Sequence, residues 1–159
     1  MMNPRIETIK EKHLIGLRLS MSIAEDKTGE LWQRFMPRKG EIAHRLNGDL
    51  ISLQVYPMDY FADFKPSQSF EKWALAEVSE FSVIPEDMEH FIIPEGRYAV
   101  FHYKGSSLDK SIFQYIFGSW IPSSKFMIDE RPHYEVLGEK YKNASPDSEE
   151  EIWIPVKEK

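Results

Sequence analysis

The stretch RPHYEVL, residues 131–137, decides how this chain is read. Its alternation predicts a strand with His133, Glu135 and Leu137 on one face and Tyr134 and Val136 on the other. A single carboxylate in an antiparallel strand ordinarily faces water. In an apolar cleft it would need a partner, and a ligand cation is one. The period alone does not say which face is inside.

Working outward, EEIWIPVKE reads as a closing strand, joined to this one by the polar loop YKNASPDSEE. Upstream, SSLDKSIFQYIFGSWIPSS predicts a helix capped by Ser107 and stopped by Pro122, with Leu108, Ile112, Phe113, Ile116, Phe117 and Trp120 on its apolar face. RYAVFHYKG precedes it as a strand. The same order is expected in the first half. KHLIGLRLSM alternates as a strand, and Thr28 caps a helix carrying Leu31, Trp32, Phe35 and Met36, which Pro37 interrupts or ends. Asn47-Gly48 marks a turn. LISLQVYP and EKWALAEVSE follow as strands, the latter with Trp73, Leu75 and Glu77 on one face. VIPEDMEHFIIPEG, with its two prolines, reads as the connection between the halves. The fold expected is therefore α+β: duplicated strand-helix-strand-strand units, over about 5–82 and 95–157, in one domain spanning 1–159. Together they make an antiparallel sheet with two main helices and a central cleft, a kind of interface that pockets prefer.

Composition narrows the function. The chain has 159 residues, 42% hydrophobic and 29% charged, which supplies a core and argues against disorder. No apolar run is long enough for a membrane span, and the N-terminus does not read as a signal peptide. The absence of cysteine excludes disulfides, thiolate metal sites and cysteine nucleophiles, and a cytoplasmic protein is expected. A net charge of −6 speaks against direct nucleic-acid binding, which needs excess Lys and Arg. The five histidines lack ligand spacing, so no metal is expected. No phosphate-binding or nucleophile motif is present, and no cofactor is expected.

Four motifs in order carry a resemblance. IPEGRYAVFHYKG, FGSWIPSS, RPHYEVL and EEIWIPVK resemble, in turn, the Tyr-Ala-Val strand, second-helix end, Pro-aromatic-Glu strand and closing strand of the GyrI-like domain. This is the effector-binding domain of AraC-type and MerR-type multidrug regulators. Residues 94–157 match in motif, and residues 5–80 match in layout. The resemblance implies the duplicated fold and a pocket for bulky, often cationic and aromatic, compounds, with Glu135 as their charge partner. Where the family often has an aromatic two positions after that glutamate, this chain has Leu137. The dozen or so residues before the KHLIGL strand are too few for a helix-turn-helix, so a stand-alone member is expected.

The candidate ligand-binding residues are Glu135, Trp120, Trp73, Tyr56, Tyr103, Trp32 and Phe113. Aromatic faces attract organic cations by about 0.5–2 kcal/mol each. Trp120 is the preferred wall, from the family's second-helix motif, while Trp73 and Tyr56 are argued from strand position alone. The partner expected is a small molecule, sensed or sequestered. One alternative is a hydrolase of cyclopropane-bearing toxins with Glu135 as catalytic base. Another is a protein-interaction role, gyrase modulation included.

Overall fold

Alternation along KHLIGLRLSM builds β2 (Lys12–Met21), whose partner β4 (Phe70–Val78) runs antiparallel to it from His13↔Val78 to Met21↔Phe70. The computed structural model describes residues 3–159. Within them the remaining strands are β1 (Arg5–Ile9), β3 (Leu50–Val55), β5 (Glu89–Ile93), β6 (Gly96–Lys104), β7 (Phe126–Ile128), β8 (His133–Leu137) and β9 (Glu149–Glu158). They form one mainly antiparallel sheet in the order β1-β6-β9-β8-β3-β4-β2-β5, with β7 added beside β9. β3 and β8 lie at its centre, paired from Leu50↔Leu137 to Gln54↔His133.

Strands β1, β5 and β7 were not expected from the sequence. β5 falls within VIPEDMEHFIIPEG, where the sequence predicts only a connection. β1 and β5 are short edge strands, exposed at most positions, so their sequences lack the apolar alternation that marks a half-buried strand.

The first helix, α1 (Thr28–Phe35), starts where expected, but Thr28 is not its cap. Asp26 Oδ1 accepts the Thr28 N–H at 2.9 Å, and the Thr28 hydroxyl donates to Met21 Sδ. Pro37 then opens a 3₁₀ turn over Met36–Glu41. The second helical stretch begins four residues later than Ser107, at α2 (Ser111–Tyr115), where Asp109 accepts the Ser111 N–H at 2.9 Å. It continues through a π-type turn, Ile116–Trp120, into α3 (Ile121–Ser123), and Pro122 is tolerated in that last turn.

Directly paired residues share a face of the sheet. One face carries Leu14, Ile51, Leu53, Trp73, Leu75, Ile93, Tyr98, Val100, Tyr134 and Trp153, all buried in one apolar cluster without a helix. The sheet covers this face by curling: β1 runs into β2 and β5 into β6, so chain continuity ties each edge strand to the opposite half. Tyr134 stacks on Trp153 at 5.3 Å, and the Tyr98 hydroxyl donates to the Pro132 carbonyl at 2.7 Å. Arg131 lies over the Tyr98 ring at 4.8 Å, with Nε on Asp129 at 2.8 Å and Nη2 on the Arg97 carbonyl at 2.6 Å. The start of RPHYEVL is thus clamped to β6 before β8 begins.

The other face holds both helical stretches. Leu31 and Phe35 of α1 pack on Ile15, Ala74 and Ala76, while Ile112, Ile116 and Ile121 pack on Ala99, Phe101, Ile152 and Ile154. The central pair β3–β8 runs between these two packed clusters, and its helix-side face is the floor on which the expected cleft would stand.

Candidate functional site

The floor is polar where the rest of that face is apolar. Ser52 pairs with Glu135, and Gln54 pairs with both Lys72 and His133, so all five side chains project to the helix-bearing face. Ser52, Gln54 and His133 are only 6%, 5% and 4% exposed, so their polar atoms need partners inside the protein.

Gln54 is the connector. Its amide orientation is assigned from the hydrogen bonds around it. With both ends satisfied, its nitrogen donates to the His133 carbonyl at 3.2 Å and to Glu135 Oε2 at 3.1 Å, and its oxygen accepts from Lys72 Nζ at 2.6 Å. The opposite orientation keeps one 3.4 Å contact to Glu135 and turns the nitrogen toward the ammonium.

Glu135 and Lys72 are only partly buried as whole residues, yet burial is the largest influence on both charged ends. It raises the Glu135 pKa, opposed by the Lys72 charge and the Gln54 bond. It lowers the Lys72 pKa, opposed by Glu135. Glu150, one step along β9 on the same face, is pushed up to about 7 by burial and then by Glu135. Asp26 and Lys110, in the loops that lead into α1 and α2, complete the field around Lys72. Glu135, Asp26 and Glu150 thus favour the charged form of Lys72, and Lys110 opposes it. His133 contributes no charge: burial, then Arg131, pushes it down to about 3.

Aromatic rings from the β3–β4 loop pack against the His133 end of this floor. Phe61 stacks on Phe117 at 5.1 Å and on His133 at 5.3 Å, and Tyr56 meets His133 edge-on at 5.0 Å. Tyr60 packs behind them against Tyr56 and Phe70.

The sequence candidates separate on this geometry. Glu135 lies on the floor. Tyr56 lies close enough for the Glu135 charge to reinforce the effect of burial in raising its pKa. Tyr103 is on the same face, paired with Glu150, and its hydroxyl donates to the Ser106 carbonyl at 2.9 Å. Trp32 and Phe113 sit on the two helices, each packed at the margin of its cluster. Trp73 does not join them: it pairs with Leu53 and lies in the opposite cluster, 6% exposed. Trp120 packs on Phe101 and Phe126 at 5.3 and 6.2 Å, whereas Phe117, three residues earlier, contacts the rings at the cleft. Lys72 and Gln54, which are not among the sequence candidates, share the face of Glu135, and Phe61 stacks on His133. Lys72 belongs to the floor, and its neighbour Trp73, the sequence candidate, faces away from it.

Among the described residues, no group of three His, Asp or Glu converges to hold a metal, and no helix is long and apolar enough to cross a membrane. Comparison with known proteins agrees with this architecture. The chain is 27% identical over 157 residues to the transcriptional regulator BrlR of Pseudomonas aeruginosa, covering 98% of this chain and 56% of that protein. The chain thus spans little more than half the length of that regulator. Among solved structures, SAV2435 bound to tetraphenylphosphonium superposes with a TM-score of 0.71 at 18% identity, over 98% of this chain and 94% of that one. The C-terminal domain of EcmrR does so with a TM-score of 0.71 at 15% identity, over 100% and 99%. The profile of the GyrI-like small molecule binding domain matches residues 2–157, and the chain belongs to that family.

Proposed function

We propose that the cleft binds bulky aromatic cations, to sense or sequester them in the cytoplasm, with Glu135 as the anionic anchor. The observation that carries this reading is the position of Glu135: a carboxylate on the strand pair between two apolar helix-packed clusters, where burial raises its pKa and the Lys72 charge opposes that. A buried carboxylate is costly without a partner, and a weakly hydrated organic cation meets that need at little desolvation cost of its own. Rings from Tyr56, Phe61 and Phe117 offer π faces at the His133 end. The relative SAV2435, of the same fold, has been solved with tetraphenylphosphonium, a compound of this class.

Glu135→Gln tests the reading, because it keeps volume and removes charge. Tetraphenylphosphonium affinity, measured by titration calorimetry, is expected to fall by about 1–3 kcal/mol, the scale of a lost charged hydrogen-bonding partner. A neutral triaryl compound should change far less. Equal losses for the two ligands would refute charge recognition by Glu135.

A further inference from the structure

The cleft carries a cation of its own. Lys72 rises from β4 on the floor face, and its ammonium donates to the Gln54 oxygen at 2.6 Å while the same amide donates to Glu135 at 3.1 Å. An ammonium at one end and a carboxylate at the other polarise the amide in the same sense, so each bond strengthens the other. Gln54 is 5% exposed, so the amide that links the two charges is shielded from water, while Lys72 and Glu135 at its ends are partly exposed.

We infer that Lys72 is the resident counter-ion of Glu135 and the specificity-determining residue of the cleft, because an incoming cation must displace its ammonium from the Gln54–Glu135 chain. This rests on the reading of the cleft as a cation site. The displaced head has somewhere to go. Lys72 has a four-carbon stem, and Asp26 is the next carboxylate in its field. Asp26 is exposed at the start of α1, where the head regains water. Displacement therefore moves the ammonium outward and leaves the inner carboxylate to the ligand.

This exchange sets the ligand class. A small, strongly hydrated ammonium offers Glu135 nothing that Lys72 does not, and it loses its water on entry. A cation whose charge lies inside an aromatic body also buries apolar area against the rings, which offsets the displacement. The cleft therefore takes large aromatic monocations and rejects alkylammonium ions of equal charge.

The test is a calorimetric titration of tetraphenylphosphonium, tetramethylammonium and neutral triphenylphosphine oxide at pH 8 into wild type, Lys72→Met, Lys72→Arg and Asp26→Asn. The pH is chosen so that any proton Glu135 gains on losing Lys72 costs least. Lys72→Met should bind tetraphenylphosphonium at least about 10-fold more tightly, some 1.4 kcal/mol, and should acquire binding of tetramethylammonium. Triphenylphosphine oxide should change by less than about 3-fold. Lys72→Arg should behave as wild type. Asp26→Asn should weaken tetraphenylphosphonium binding where Lys72 is present and leave it unchanged in the Lys72→Met background, which a double-mutant cycle reads directly; if Lys72→Met fails to fold, unchanged binding by Asp26→Asn alone overturns the inference. Unchanged or weaker tetraphenylphosphonium binding by a folded Lys72→Met overturns the inference. If Glu135→Gln still weakens the cation in that case, the cation site stands and only the role of Lys72 falls. If no variant binds tetraphenylphosphonium, both fall.

Discussion

Replacing His133 with Phe should remove much of the protein's sensitivity to acid. The imidazole is 4% exposed and lies against Phe61, Tyr56 and Phe117. Burial, and then the Arg131 charge, hold its pKa at about 3 against an ordinary 6.5. The folded state thus binds the proton less readily than the unfolded chain. The stability that goes with the neutral ring is fully present above pH 6.5 and drains away as the pH falls toward 3. At pH 4.5 the loss amounts to about 3 kcal/mol, from roughly two units of unmatched protonation at 1.36 kcal/mol each. Phenylalanine keeps the ring among its neighbours and removes the titration. Urea unfolding of both proteins at pH 7.5 and pH 4.5 gives four free energies, and the difference of differences cancels the carboxylates common to both. Wild type should lose about 3 kcal/mol more than His133→Phe over that interval. Parallel losses would refute the reasoning, as would an NMR titration placing the His133 imidazole near its ordinary value.

Glu150 should act in the opposite direction. Its carboxyl is raised to about 7 by burial and by Glu135, so its contribution is complete below about 4.5 and is lost as the pH rises through 7. Glu150→Gln should match wild type at pH 4 and exceed it by about 1–3 kcal/mol at pH 8, after allowing for solvent screening of a partly exposed group, as read by chemical denaturation. Gly16→Ala should destabilise by at least about 2 kcal/mol in the same assay, because a Cβ at Gly16 would run into the Ala74 carbonyl of the paired strand β4.

The layout was legible because each half repeats its order and because helix and strand differ in period. The β2, β3, β4, β6, β8 and β9 segments and α1 fall where the sequence puts them, and the second helical stretch does so from Ser111 onward, leaving Leu108 outside it and exposed. The edge strands escaped because an edge exposes most of its side chains, as in Arg5–Ile9 and Glu89–Ile93, and exposure erases the alternation. The caps escaped because Ser107 and Thr28 compete with aspartates two residues away. Asp109 and Asp26 take the N–H groups, while the Ser107 hydroxyl accepts from Ala144 N.

For RPHYEVL, asking which face is inside has no single answer. His133 is 4% exposed and Tyr134 0%, so β8 is covered on both sides, by the helix-packed cleft on one and by the curled sheet on the other. A strand buried on both faces gives no polar side from which to read its orientation, and the odd-even assignment must come from the register. Here the register passes from strand to strand. Glu135 opposite Ser52 fixes the floor face of β3, and Gln54 opposite Lys72 carries that parity to β4. Trp73, one residue along, must then face the other core, and a lysine takes the place expected for an aromatic wall. A one-residue shift in β4 would therefore bring Trp73 to the face of Gln54 and Glu135 and turn Lys72 into the opposite core. The lysine follows from the pairing of three strands far apart in sequence, and no single segment contains that information.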